Sequence, residues 1–156
     1  MPSFRSTRVV KHTPEQMFAL VADVERYPEF LPLCEDLRIV RRQTDGEGRE
    51  VLVAAMSVGY RAIRETFTSR VTLDRPNRAI LVEYVDGPFK RLENRWEFKP
   101  LSGGGTSVEF YISYEFRSMA LGLLMGAMFD KAFRRFAEAF EQQAYKVYGR
   151  PAVAEA

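Results

Sequence analysis

The sequence predicts an α+β domain in which a curved antiparallel sheet of about six strands packs with two short helices and one long C-terminal helix. Apolar and polar residues alternate with a period of two through most of residues 37–116, which indicates half-buried antiparallel strands. Helical periodicity is confined to a short stretch after Thr13 and to the C-terminal end. The length of 156 residues suits one domain. We therefore expect one domain over residues 1–150 and a disordered tail at 151–156.

Start and stop signals delimit the helices. Thr13 can cap the first helix, Pro14 suits its first position, and Gln16 completes a capping box. Pro28 and Pro32 restrict the next segment of the chain to a second short helix or turn. The last helix, residues 119–148, contains no proline and stops at the sequence Gly-Arg-Pro.

The predicted strands are separated by turn-forming residues. The N-terminal residues 1–11 form a first strand, and the turn Asp-Gly-Glu-Gly at 45–48 opens a meander. The three glycines at 103–105 are turn residues that lack the spacing of a phosphate loop. Further alternating segments lie at residues 36–43, 49–58, 63–73, 79–85, 91–99 and 108–116.

Composition restricts the classes of function. With 46% hydrophobic and 28% charged residues, the chain is neither a disordered nor a membrane-spanning protein. Its 23 basic and 21 acidic residues are too nearly balanced to predict a general nucleic-acid binder. The N-terminus lacks an apolar run of signal-peptide length, and the uncharged stretch 118–129 is far shorter than the roughly 20 residues of a transmembrane helix. A cytoplasmic protein is expected.

The sequence contains few of the residues that usually carry out catalysis. Cys34 and His12 are the only cysteine and the only histidine, so no intrachain disulfide and no Cys/His metal site can form. His12 directly precedes the Thr13 cap, and we expect it to face solvent in a loop. We expect Cys34 to be a small buried apolar residue rather than a nucleophile. The sequence thus predicts a non-enzymatic protein without a catalytic cofactor, although a cofactor-free cyclase stays open.

Two segments carry a resemblance to a known family. They are Tyr-Pro-Glu-Phe-Leu-Pro-Leu-Cys at 27–34 and Asp-Gly-Pro-Phe-Lys-Arg-Leu at 86–92, the latter followed by Trp96 and Phe98. Both resemble signatures of the coenzyme Q-binding (ubiquinone-binding) family of START domains, within the polyketide cyclase/START-like superfamily. Tyr-Glu-Phe at 114–116 and Val-Tyr-Gly at 147–149 extend the match over the whole chain. Leu33 departs from the pattern, because many members carry a tryptophan there.

The resemblance implies a helix-grip fold around a hydrophobic cavity and ubiquinone as the bound ligand. It implies a quinone carrier or chaperone that supports respiratory electron transport, located in the cytoplasm and peripheral to the inner face of the cytoplasmic membrane. A bacterial branch of the family is named ribosome association toxin, so a protein that binds the large ribosomal subunit is the alternative. A START-like polyketide cyclase is the third interpretation.

Candidate ligand-binding residues lie on the inward faces of the predicted strands and on the long helix. A quinone head needs one or two hydrogen-bond donors, and Asn94 and Glu65 are the first candidates. In the alternative, Asn94 pairs with neighbouring backbone and Glu65 lies in water at a strand end. The other candidates, most of which would serve equally as core, are Ser69, Tyr84, Tyr114, Phe67, Trp96, Phe98, Phe110, Leu124, Met125 and Met128.

The beginning of the long helix is apolar on nearly every side. Gly122 and Gly126 lie one turn apart there, although each costs roughly 1 kcal/mol relative to alanine in a helix interior. We expect residues 119–129 to form a lid and a membrane contact, with homodimerisation through the glycine face as the alternative. Basic residues that could meet ribosomal RNA or anionic headgroups, or that are simply solvated, are Arg38, Arg41, Arg42, Lys131, Arg134 and Arg135.

Overall fold

A computed structural model describes residues 3–151 of the chain. Strand β1 (Ser3–Val10) precedes helix α1 (Pro14–Ala22) and a 3-10 helix (Val24–Glu29). Helix α2 (Met119–Tyr148) closes the chain. Between the helices run β2 (Cys34–Thr44), β3 (Glu50–Tyr60), β4 (Ile63–Asp74), β5 (Ala79–Asp86), β6 (Phe89–Pro100) and β7 (Thr106–Phe116).

All seven strands join one antiparallel sheet in the order β1-β7-β6-β5-β4-β3-β2. The predicted α+β class is confirmed, and the predicted count of about six strands is one too low. Each segment that the sequence predicts as a strand, including the N-terminal one that pairs with β7, joins the sheet, so the segments are right and only the stated count is low. Register shifts in β2, between Cys34 and Asp36 and between Ile39 and Arg41, add to the curvature of the sheet.

Both α-helices begin at the residues that the sequence predicts, Pro14 and Met119. The Thr13 side chain accepts a hydrogen bond from the Gln16 N–H at 3.1 Å, and the Gln16 side chain accepts one from the Thr13 N–H at 3.0 Å. The predicted capping box is confirmed. Helix α2 is capped by Ser118 at its beginning and by Gly149 after its last residue, and the φ of 73° at Gly149 favours glycine.

Helix α2 lies over β1 and β7, beside α1. This placement leaves the concave faces of β3, β4 and β5 to border a cavity instead of packing directly on the helix. Within residues 3–151, no helix has both the length and the apolarity needed to cross a membrane. Most of the predicted tail, residues 152–156, lies outside the described residues.

His12 is fully buried, at 0% exposure, which corrects the expectation of a solvent-facing histidine. Its Nε2 atom lies 3.0 Å from the carbonyl oxygen of Gly149, and its ring meets that of Tyr145 edge-on at 4.8 Å. The Thr106 hydroxyl donates to the His12 carbonyl at 2.7 Å. The loop is buried because the distant end of α2 covers it, a contact that local sequence does not reveal.

Candidate ligand cavity

A cavity lies between the concave face of the sheet and the middle of α2, residues 129–140. The volume of this cavity is about 90 Å³. That is several times what a single water needs. The cavity can therefore admit part of an apolar molecule larger than water. Its sheet-side and helix-side walls include Leu37, Ala54, Met56, Val58, Phe67, Ser69, Val71, Ile80, Val82, Leu92, Ile112, Phe129, Ala132, Phe133, Phe136 and Phe140.

The space exists because several positions in its walls carry small side chains. Ala54 and Ser69 are direct partners in the register of β3 and β4, so two adjacent positions of the sheet carry little side-chain volume. Ala132 supplies a third small wall position, on α2. Bulky residues at these positions would fill the interior to ordinary packing density. A cavity-filling substitution at Ala54 is therefore a direct test of what the space does.

Asn94 and Trp96, two of the predicted ligand-binding residues, lie on β6 and line the cavity. The Asn94 Nδ2 atom donates to the Tyr111 carbonyl at 2.9 Å, and the Trp96 Nε1 atom donates to Asn94 Oδ1 at 2.9 Å. The oxygen of Asn94 and one of its N–H bonds are thus committed to the protein. Asn94 is less available to a ligand than the sequence suggests, and its pairing with neighbouring backbone is observed.

Ser69 is the polar lining residue whose hydroxyl has no partner. It is 5% exposed, and its Oγ atom makes no hydrogen bond within the described part of the chain. A buried hydroxyl in this state is unusual, because the great majority of buried polar groups are paired. Phe67, two residues earlier on the same face of β4, also lines the cavity.

Three further predicted residues of the sheet lie outside the lining. Phe98 packs edge-on against Phe18 of α1, with ring centroids 5.8 Å apart. Phe110 is buried at 1% exposure beside Trp96, its partner on the neighbouring strand, with ring centroids 4.7 Å apart. Tyr84 is half-buried, and its hydroxyl accepts the Phe89 N–H at 3.0 Å.

Tyr114 and Glu65 also lie away from the lining. Tyr114 is 3% exposed and contacts the rings of Phe129 and Phe133, so it packs behind the wall that these two form. Glu65 is half-buried near the beginning of β4. Tyr114 is separated from the cavity because Phe129 and Phe133 of α2 pack directly on its ring.

The predicted positions on α2 are displaced along the helix from the cavity. Leu124 is 64% exposed, Met125 is 1% exposed within the core, and Met128 is half-buried, and none of the three is in the lining. The helix wall comes instead from Phe129, Ala132, Phe133, Phe136 and Phe140, which sequence analysis did not single out. Their spacing of three and four residues on one helix face is the signal that could have found them.

The loop after the 3-10 helix supplies the remaining wall. Leu31, Pro32 and Leu33 line the cavity, and Leu33 has a φ of 67°, which is uncommon for a residue other than glycine. The Leu33 carbonyl accepts the Gly59 N–H at 3.0 Å, which ties this loop to the end of β3. The first signature segment therefore forms part of the site.

Two ionisable groups near this loop are held in their protonated forms. Cys34 is buried, as expected, and donates to the Asp36 carbonyl at 3.7 Å. Burial raises the pKa of its thiol to about 12. Tyr27 lines the cavity and donates its hydroxyl to the Val21 carbonyl, and burial raises the pKa of that hydroxyl far above its usual range. Neither group supplies an anion at neutral pH.

The first turns of α2 carry exposed apolar side chains. Met119 is 89% exposed and Leu123 is 85% exposed. A Cβ atom added at Gly126 would meet nothing within 4 Å, and one at Gly122 would lie 3.7 Å from Phe116. Packing within the chain therefore requires neither glycine.

Comparison with known proteins identifies relatives over almost the whole chain. Residues 10–141 match the family described as polyketide cyclase / dehydrase and lipid transport. Ribosome association toxin RatA of Escherichia coli strain K12 is 38% identical over 148 residues, covering 95% of this chain and 90% of the relative. The mitochondrial coenzyme Q-binding protein COQ10 homolog B of Xenopus laevis is 30% identical over 154 residues, covering 96% of this chain and 61% of the relative.

Solved structures agree with this architecture. An 18 kDa protein from Caulobacter crescentus, solved in solution, is 37% identical, with a TM-score of 0.77 over 96% of this chain and 100% of its own. A START superfamily protein from Mycobacterium smegmatis has a TM-score of 0.76 at 20% identity, over 93% of this chain and 98% of its own. The predicted START-like fold is thereby confirmed.

Proposed function

Because the chain belongs to the family described as polyketide cyclase / dehydrase and lipid transport, we propose that it binds a polyprenyl quinone such as ubiquinone. The cavity between the sheet and α2 would hold the quinone ring and part of the tail. The protein would then act as a quinone carrier or chaperone that supports respiratory electron transport. The observation that carries the proposal is the cavity itself, which is walled mainly by apolar side chains and contains the unpaired hydroxyl of Ser69.

The mostly apolar side chains of the cavity walls favour a ligand that has few polar groups. Burial of apolar surface stabilises a complex by roughly 25 cal/mol per Å². Rings from Phe67, Trp96 and Phe140 border the space and can stack on a flat ligand. The name of the coenzyme Q-binding relative agrees with this interpretation.

We further propose that the beginning of α2 contacts a membrane surface when the ligand enters or leaves. A polyprenyl tail is longer than a cavity of this size can enclose, so part of it must stay in lipid. Met119, Leu123 and Leu124 are exposed apolar side chains that a bilayer could cover. Lys131 is exposed about two turns beyond Leu124 and could meet anionic headgroups, whereas Arg134 pairs with Asp130 at 3.0 Å.

The proposal is tested by blocking the cavity. Short-tail ubiquinone added to delipidated protein should quench the fluorescence of Trp96, the single tryptophan. Ala54→Leu should fill the space and abolish the quenching, with Ala54→Val giving a partial loss. Ala55→Leu is the matched control, because Ala55 points to the opposite face of the same strand. Unchanged quenching in a folded Ala54→Leu variant would refute ligand binding in this cavity.

Ribosome association is the second candidate function. The observation that favours it is the higher identity to RatA, 38%, than to the coenzyme Q-binding relative, 30%. Strand β2 lies at the edge of the sheet and carries Arg38 and Arg41 as exposed cations. Arg42 is engaged by Glu25 at 3.1 Å and by Glu50 at 3.6 Å. This edge is the surface that we would assign to ribosomal RNA.

A further inference from the structure

We infer that Ser69 recognises the head of the ligand through a single hydrogen bond between its hydroxyl and one oxygen of the ligand ring. The inference rests on the proposed function and adds to it the residue that distinguishes a quinone from a plain isoprenoid chain. It also adds an asymmetry, since one ring oxygen is bound by the protein and the opposite one is not.

Ser69 lines the cavity, and its hydroxyl makes no hydrogen bond to the described part of the protein. The residue is only 5% exposed. Burial of an unpaired hydroxyl is unfavourable, so such a group in a cavity indicates a partner that arrives with a ligand. A serine hydroxyl can donate to a carbonyl or accept from a hydroxyl, so it can bind either the quinone or its reduced form.

The other polar groups in the lining are already engaged. Tyr27 donates to the Val21 carbonyl. Trp96 donates to Asn94, and Asn94 donates to the Tyr111 carbonyl. Recruiting any of these groups would require breaking an existing hydrogen bond or using the one N–H of Asn94 that is left over. Ser69 can bind a ligand oxygen at no such cost.

The register of the sheet separates Ser69 from Asn94. Val71, two residues beyond Ser69, lies opposite Val82, which in turn lies opposite Asn94. Two strand spacings and two residues along a strand correspond to about 12 Å between the Cα atoms of Ser69 and Asn94. The Asn94 amide is held by Trp96 and by the Tyr111 carbonyl, so Ser69 is the group that is free to bind a ring oxygen. Recognition is therefore at a single point, beside Ala54, whose methyl group leaves room for the ring.

The experiment compares two probes, short-tail ubiquinone and a polyprenyl hydrocarbon of equal tail length. Ser69→Ala should weaken binding of the quinone about fivefold, as expected for one hydrogen bond, and leave binding of the hydrocarbon unchanged. Ser69→Thr retains the hydroxyl and should retain the preference. Ser57→Ala is the matched control, because the Ser57 hydroxyl pairs with Thr66 on the outer face of the sheet.

A second readout is the infrared spectrum of the bound quinone. Asymmetric recognition should split the two carbonyl stretching bands in the wild type, and the splitting should disappear in Ser69→Ala. If Ser69→Ala binds the quinone as tightly as the wild type and keeps the splitting, the inference is overturned while the proposed function stands. If the wild type binds neither probe, the proposed function fails and the inference fails with it.

Discussion

Trp96 donates its indole N–H to the Oδ1 atom of Asn94 at 2.9 Å, two residues away on the same face of β6. Asn94 in turn donates to the Tyr111 carbonyl on β7. The amide therefore holds the tryptophan ring in place at the cavity wall and fastens both to the neighbouring strand. Phe140 of α2 meets the same ring edge-on at 5.2 Å, so sheet and helix are joined at this point.

Asn94→Leu should destabilise the fold rather than remove only a ligand contact. The substitution leaves the Trp96 N–H without its partner, which costs about 1–3 kcal/mol for a buried group, and removes the hydrogen bond to the Tyr111 carbonyl, worth about 1 kcal/mol. The free energy of unfolding in urea should fall by about 2–4 kcal/mol. In a double-mutant cycle with Trp96→Phe, a coupling near zero would contradict the link between the two side chains. Equal weakening of quinone and polyprenyl binding would identify Asn94 as structural.

His12→Ala should destabilise the protein, although sequence analysis leads one to expect a silent substitution. The fully buried ring bonds the Gly149 carbonyl and packs against Tyr145. Loss of the bond and of the buried volume should cost roughly 2–4 kcal/mol, measured by urea denaturation. Tyr148→Phe removes an exposed hydrogen bond at the same end of α2 and serves as the near-neutral control. Equal stability of the His12→Ala variant and the wild type would refute the anchoring role.

The Cys34 thiol should be almost unreactive in the folded protein. A thiol of ordinary pKa, near 8.5, is about one quarter thiolate at pH 8. With its pKa raised to about 12, Cys34 is ionised in only about one molecule in ten thousand at that pH. Alkylation by iodoacetamide should be roughly a thousandfold slower than in urea-unfolded protein. The folded-state rate should keep rising about tenfold per pH unit beyond pH 9, and a plateau there would contradict the raised pKa.

The raised pKa of Cys34 also makes the stability of the fold depend on pH. The folded-state pKa lies above the unfolded value, so folding retains the thiol proton that the unfolded chain loses first as the pH rises. The contribution is complete below about pH 9 and is lost progressively toward about pH 12. Unfolding experiments on the wild type and on Cys34→Ala should diverge over this range, with the steeper decline in the wild type. Parallel declines would show that other groups, such as Tyr27, account for the alkaline loss.

Leu123→Glu should separate the membrane contact from the fold. Because Leu123 is 85% exposed, its substitution should change the free energy of unfolding by less than about 0.5 kcal/mol. Flotation with vesicles that contain anionic lipid, and uptake of quinone from them, should fall. Val147→Glu, at an exposed position near the other end of α2, is the matched control. Unchanged flotation of a folded Leu123→Glu variant would leave dimerisation through the Gly122 and Gly126 face as the better account.

Ribosome binding can be distinguished from lipid binding by its response to salt. Contacts with phosphate weaken steeply as salt rises, whereas burial of apolar surface does not. If RNA is bound at β2, cosedimentation with large ribosomal subunits should be lost between low and moderate salt, and the pair of substitutions Arg38→Ala and Arg41→Ala should reduce it at low salt. Stoichiometric cosedimentation at low salt that the paired substitution reduces would favour ribosome association over the quinone carrier as the principal function, and no cosedimentation at low salt would reject it.

The sequence by itself determined the elements and their faces. The capping box of Thr13 and Gln16, the alternation through β6 and the glycine stop after Tyr148 depend on residues a few positions apart, and such signals act locally. The tertiary structure alone decided where α2 lies over the sheet. That placement buries His12 and makes Phe133 rather than Met125 a cavity wall. An inward face is readable from a period of two, but whether it meets core, helix or empty space depends on chain segments more than a hundred residues apart, such as His12 and Gly149.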